Sequence, residues 1–235
     1  EHVDRLPRAR AYMLDVAPAQ LPQLAGGRLP ERYLERVARY RYGPGTFKID
    51  WALRGPVPWR DPRCARAATV HLSGNLDDIA RAERASHEGR SALRPFILFV
   101  QPSLFDRTRA PAGQHTAWAY CHVPHGAAVD ETANIEAHVE EFAPGFRALV
   151  IGRASVNPVQ LAAYNPNYVG GDINAGLSDL RQLFFRPLVS LDPYATDAED
   201  IFLCSSATPP GGAVHGMCGY WAARSVLRNV FHDDR

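Results

Sequence analysis

The sequence predicts an α+β chain, with a mixed and largely antiparallel sheet carrying helices on one side. Three observations lead there. Short runs that alternate apolar and polar residues, or are apolar throughout, recur at Phe47–Leu53, Phe96–Val100 and His115–Val123. Between and after them, Leu76–Glu88 and Asp130–Phe142 repeat apolar residues at helical spacing. Near the C-terminal end, Ile201–Leu203, a bend of prolines and glycines, and a helical pattern from about Gly216 follow in close succession.

Taken in order, Ala11–Val16 reads as a strand of a buried sheet, ended by Ala17-Pro18. Pro18–Ala25 then reads as a helix with proline in its first turn, closed by Gly26-Gly27. Pro30–Tyr40 places Tyr33, Leu34, Val37 and Ala38 on one helical stripe. After the Gly43-Pro-Gly45 turn, Phe47–Leu53 alternates, so Lys48 and Asp50 share a face. Thr69–Ser73 is another strand. Asp77 and Asp78 then open a helix, as the dipole prefers, and Gly89 closes it. Phe96–Val100 suits a strand covered on both faces, and His115–Val123 suits an antiparallel neighbour. Asp130–Phe142 puts Ile135, Val139 and Phe142 on a buried stripe, with Glu131, Glu136, Glu140 and Glu141 mostly elsewhere. Ala148–Ile151 is a further strand and Pro158–Tyr164 a short helix. Tyr164–Pro193 has little periodicity, and a loop that long is more often functional than idle.

Composition narrows the function classes. The chain has 235 residues, 46% hydrophobic and 22% charged, as an ordinary globular protein does. Its 26 basic and 25 acidic residues leave a net charge of +1, which argues against a nucleic-acid partner. Lys48 is the only lysine. Cys64, Cys121, Cys204 and Cys218 form no C-x-x-C pair, which predicts reduced thiols and a cytoplasmic setting. No apolar run approaches the roughly 20 residues of a membrane span.

Most reactive constellations fail on spacing. Cys121-His122-Val-Pro-His125 lacks a second close Cys/His pair, so no metal site is expected. Adjacent Cys121 and His122 point to opposite faces of a strand and cannot act together. The Thr208–Gly212 bend admits two readings. It is a tight connection, or it is a place where backbone approaches an anionic or electron-rich ligand at a helix N-terminus.

Pro210-Gly-Gly-Ala-Val-His-Gly-Met217 and its following helix resemble the C-terminal flavin-contacting motif of the phytoene-desaturase-like FAD-dependent oxidoreductases, within the amine-oxidase and carotenoid-desaturase group. Tyr42–Trp51, Gln101–Asp106, His115–His122, Asn165–Asp172 and Phe184–Pro187 resemble the bacterial branch labelled NAD(P)/FAD-dependent oxidoreductase. The likeness covers nearly the whole chain. That family also opens with a strand and a G-x-G-x-x-G turn, and no G-x-G-x-x-G occurs here.

The resemblance therefore implies the C-terminal, substrate-domain portion of such an enzyme. Residues 1–28 would end the FAD domain, 29–195 would bind substrate, and 196–235 would return the flavin-contacting strand, turn and helix to a Rossmann-like FAD domain. The implied chemistry is hydride transfer from an apolar substrate to FAD. Ser205, Ser206, Gly211, Gly212, Val214, Gly216 and Met217 are the implied cofactor residues. Trp118, Tyr120 and Tyr168 would meet substrate. His215 is the catalytic candidate, lying beside the flavin or in the substrate cavity, or simply bonded to a nearby carbonyl. The expected partners are the missing N-terminal half or a second copy of the chain. A different class stays open: a non-catalytic binding or assembly module that holds no flavin by itself.

Overall fold

Alternation of burial along the chain sorts the strands. The computed structural model describes residues 2–232. It divides into two units, Glu1–Gly43 with Ala162–Arg235, and Pro44–Leu161.

The first unit begins with β1 (Tyr12–Leu14), α1 (Leu21–Ala25) and α2 (Glu31–Val37). Pro18–Gln20 enters α1 as a 3₁₀ turn, so the expected helix is there in two pieces. Val3, Leu21, Tyr33 and Val37 pack together as a small core.

The second unit is built on β2 (Gly45–Leu53), β3 (Thr69–Leu72), α3 (Leu76–His87), β4 (Ile97–Val100), β5 (His115–Val123), α4 (Thr132–Phe142), α5 (Phe146–Leu149) and β6 (Val150–Val156). Its five strands run in the order β3-β4-β5-β2-β6, and every neighbouring pair is antiparallel. In β2 and β5 the odd-numbered residues Phe47, Ile49, Trp51, Ala117, Ala119 and Cys121 face one core, which Ile135, Val139 and Phe146 of α4 and α5 cover. Burial alternates because neighbouring side chains on a strand point to opposite faces. Asn75 and Asp78 cap α3 reciprocally, each side chain accepting from the other's backbone N–H.

Three expectations change. β4 is not covered on both faces, since Leu98 and Val100 are only half-buried. The apolar run at Ala148–Ile151 is split: Phe146–Leu149 is a helical turn, and the strand runs on through polar Arg153 and Ser155. β6 is an edge strand, so pairing with the β2 backbone defines it rather than apolar content. On α4, Glu131 and Glu136 are buried, not solvated. Glu136 Oε1 accepts from Trp51 Nε1 at 2.9 Å and forms an ion pair with Arg153, Nε lying 2.9 Å away, which compensates a carboxylate that burial would otherwise penalise.

The chain continues through α6 (Pro158–Tyr164), then α7 (Leu180–Phe184), β7 (Ile201–Leu203) and α8 (Met217–Val230). Five residues are too few for α7 to show a helical period. Its signal is the cap, where Asp179 accepts from Gln182 N–H at 2.8 Å. β1 and β7 pair in parallel as a two-stranded sheet, Tyr12 opposite Ile201 and Leu14 opposite Leu203. All three residues of β7 are buried, as parallel strands tend to be. Among the described residues no helix is long and apolar enough to cross a membrane.

Candidate functional site

The two parallel strands of the first unit end together. Cys204 N–H donates to Leu14 O at 3.0 Å, and one step on Ser205 Oγ donates to Val16 O at 2.7 Å. Just past these carboxyl ends lies a cleft of about 190 Å³, lined among others by Asp15, Asn165, Asn167, Tyr168, Ser205 and Ser206. Open parallel sheets bind ligands at this end of their strands. Ser205 and Ser206, expected at a cofactor, and Tyr168, expected at a substrate, thus line one polar cleft. Asn167 Oδ1 accepts from Ala17 N–H at 2.9 Å and fixes the cleft's far wall. Burial, with Asp15 nearby, pushes the Cys204 thiol up to about 11, so it stays protonated.

Beyond the cleft the chain turns. Thr208 Oγ1 donates to Ser205 O at 2.7 Å, and Gly211 N–H donates to Thr208 O at 2.9 Å. Gly211 adopts φ +101°, and a Cβ there would lie 2.2 Å from Arg186 Nη1. At Gly212 a Cβ would sit 3.4 Å from Asn174 O. The space at these two glycines is taken by the protein's own groups. Gly216 differs: it caps α8 in the left-handed region at φ +64°, and nothing lies within 4 Å of where its Cβ would be. Val214 and His215 are exposed. His215 Nδ1 accepts from Met217 N–H at 2.9 Å. The neutral ring therefore carries its proton on Nε2 and partly caps α8, which also occupies the Met217 N–H. The bond is to an N–H, where sequence reasoning had considered a carbonyl.

Trp118 and Tyr120 belong to the other unit, on the β5 face opposite its core. Their rings stack at 6.3 Å and 12°, and His122 continues the row 6.2 Å from Tyr120. Lys48 Nζ pairs with Asp50 and lies 5.5 Å from the Trp118 ring. Glu83 of α3 reaches His122 Nδ1 at 2.7 Å. Burial raises the Tyr120 phenol, helped by Glu83. Among the described residues no three His, Cys, Asp or Glu side chains are placed to hold a metal ion.

Sequence reasoning missed the groups that hold the cleft's loops. Asp172 is buried, and its carboxylate accepts from Gly43 N–H at 2.7 Å, Asn174 N–H at 2.7 Å and Gly176 N–H at 2.8 Å. Tyr40 and Arg186 meet at 3.0 Å. Signals existed: an aspartate after Gly170-Gly171 with an asparagine two residues on, and a lone arginine after Leu183-Phe184-Phe185.

No protein-family model matches the chain. Pyridine nucleotide-disulfide oxidoreductase domain-containing protein 2 of Rattus norvegicus is 30% identical over 225 residues, a match covering 86% of this chain and 38% of the relative. The Mus musculus protein of that name is 28% identical over 225 residues with the same coverage. The chain thus spans less than two-fifths of the length of these curated relatives. A crystal structure of an oxidoreductase from Methanosarcina mazei superposes with a TM-score of 0.52 at 15% identity, over 96% of this chain and 44% of that one. It shares the fold. The chain is similar to a portion of oxidoreductases and carries an α+β fold of that kind.

Proposed function

We propose that this chain is the substrate-domain and C-terminal flavin-contacting portion of an FAD-dependent oxidoreductase of the dehydrogenase or desaturase type. The observation that carries this is the polar cleft at the carboxyl ends of β1 and β7, in the unit whose Gly-capped helix α8 follows β7. The oxidoreductase relatives support it.

A bound flavin would supply the redox chemistry, accepting a hydride from a substrate C–H bond, with a second proton lost from the neighbouring carbon or nitrogen. The chain's own part is to bind and orient. Ser206 and Asn165 would hydrogen-bond a polar cofactor group in the cleft, and Ser205 would keep its walls together through Val16. The N-terminal end of α8 adds a partial positive charge suited to an anionic ring. His215 would present Nε2–H as a donor while its Nδ1 holds the helix end. On the second unit, the Trp118–Tyr120 stack offers flat apolar surface for a largely hydrocarbon substrate. The partner in this reading is a polypeptide segment that bears a dinucleotide fingerprint. The two-stranded sheet, in which β1 pairs on one edge only, gives such a partner a place to add strands.

One observation favours the binding-module reading instead. A cleft of about 190 Å³ falls below the roughly 300–1,000 Å³ usual for small-molecule sites. A visible spectrum of the purified chain, taken after excess FAD and gel filtration, decides. Retained flavin bands support the enzyme reading for this chain. A folded circular-dichroism spectrum without them leaves a module that needs a partner.

A further inference from the structure

Arg186 carries a guanidinium that no acid answers. The residue is 4% exposed. Among the described residues no carboxylate comes within ion-pairing distance of it, whereas Arg28 pairs with Asp200 and Arg41 with Asp179 in the same unit. Its Nε has no hydrogen-bond partner. Nη2 donates to Tyr40 Oη at 3.0 Å, and Tyr40 Oη donates to Ala175 O at 2.7 Å. A buried charge left unpaired is costly, so such an arrangement needs a reason.

The surroundings supply one. Two glycines with φ that L side chains rarely adopt flank the pair: Gly176 at +145° and Gly211 at +101°. A Cβ on Gly176 would lie 1.8 Å from Tyr40 Oη and 2.8 Å from Arg186 Nη2, and one on Gly211 would lie 2.2 Å from Arg186 Nη1. The phenol and the guanidinium therefore fill the space of two absent side chains. They tie the loop that ends at Gly176, which lines the cleft through Ala175, to the bend that leads into α8.

We propose that Tyr40 and Arg186 form a buried clamp that positions the Gly211–Met217 bend, and that the Arg186 charge, which makes no direct ion pair although the buried Asp172 carboxylate sits on the other side of Gly176, biases this bend toward an anionic ligand group. The second half rests on the flavin reading above and the first half does not. Arg186 is a positioning residue here, acting through the backbone it holds.

The test uses the whole chain and the variants Arg186→Met, Arg186→Lys and Tyr40→Phe, with Gly211→Ala and Arg186→Ala as a further pair. Amide hydrogen exchange is followed at residues 211–217 and, as an internal reference, at 115–123 of β5. Arg186→Met should speed exchange in the bend by about tenfold or more, because the guanidinium packed against Gly211 is lost and the bend opens locally more often, with β5 unchanged. Tyr40→Phe should produce a smaller increase at the same amides, and it keeps the test open if Arg186→Met does not fold. Gly211→Ala should be less damaging in an Arg186→Ala background than alone, because the collision with Nη1 is removed there. Unchanged exchange at 211–217 in both single variants would overturn the clamp. Equilibrium dialysis with FAD reads the charge: Arg186→Met should weaken binding by about tenfold, and Arg186→Lys should recover part of it. Equal FAD affinity in wild type and Arg186→Met would overturn the charge role while leaving the clamp to the exchange data. A wild-type chain that binds no FAD would remove the charge role together with the flavin reading, and the clamp would still be judged by exchange.

Discussion

Residues 44–161 are ordered by long paired strands and an aromatic core, whereas the unit formed by the two ends of the chain is ordered largely by side-chain hydrogen bonds to backbone and to other side chains. In the former, β2 and β5 pair along nine residues each. Trp51, Phe99 and Phe146 meet at centroid distances of 5.2–6.0 Å. In the latter the paired strands are three residues long, and the loops are pinned by Asp172, Ser205, Thr208, Arg186 and Asp192. Apolar burial tolerates any backbone that keeps the area covered, so it builds a scaffold. Hydrogen bonds are directional and fix particular peptide groups, which a site that presents backbone to a ligand requires. The residues expected at a cofactor, among them Ser205, Ser206 and Gly216, lie in the unit with the smaller core, while Trp118 and Tyr120, expected at a substrate, lie in the other.

The largest expected effect sharpens the first half of that comparison. Phe99→Ala removes a fully buried ring from the aromatic cluster and should cost about 3–5 kcal/mol by urea denaturation. A loss below about 1 kcal/mol, the scale of an ordinary surface change, would mean that strand pairing rather than the core sets this unit's stability. Next comes Asp172→Ala, which strands three backbone N–H groups at once and should cost about 3 kcal/mol. Exchange should rise at Gly43, Asn174 and Gly176, and unchanged exchange there would undo the claim that this unit depends on polar ties.

A smaller effect tests a polar tie inside the apolar unit. Glu136→Gln keeps the shape but trades charge-assisted bonds from Trp51 and Arg153 for neutral ones, at a cost of about 1–2 kcal/mol. The Trp51 indole N–H resonance would report the change.

The smallest is a pH effect on α8. Burial pushes Asp192 up, but hydrogen bonds from Ser225, Asn229 and Arg228 outweigh it and hold the carboxyl below its ordinary 3.8. A carboxylate whose folded pKa is lowered stabilises fully above the unfolded value and loses that contribution as pH falls through the folded one. Protection of the α8 amides relative to their intrinsic exchange rates should therefore be flat down to about pH 4 and fall below it, the loss appearing as a relative rise in exchange. Asp192→Asn should abolish that rise, and a variant that still shows it would assign the acid sensitivity elsewhere.

Much of the fold was legible residue by residue. The bounds of β5, β7 and α6 coincide with runs visible in the sequence. The misread parts have a common cause. β6 is defined by its β2 neighbour and not by its own apolar content, and α7 is shorter than the period that would reveal it. Glu131 and Glu136 look solvated on a helical wheel but are buried. At the site, Ser205, Ser206 and Tyr168 were legible as candidates, while Tyr40, Asp172 and Arg186 lay inside or near the same motifs without a visible role.

What the sequence determined by itself is what local chemistry dictates: strand and helix periods, the Asn75–Asp78 cap, the glycine bend before α8, and the likeness of several ordered motifs to flavin-dependent oxidoreductases. What only the tertiary structure decided are the partners of buried polar groups. Asp172 bonds Gly43 from 129 positions away, Arg186 meets Tyr40 across 146, and Ser205 reaches Val16 across 189. Periodicity is a property of neighbours along the chain. Partners for buried polar groups are found in space, so these three ties join residues that no local pattern connects.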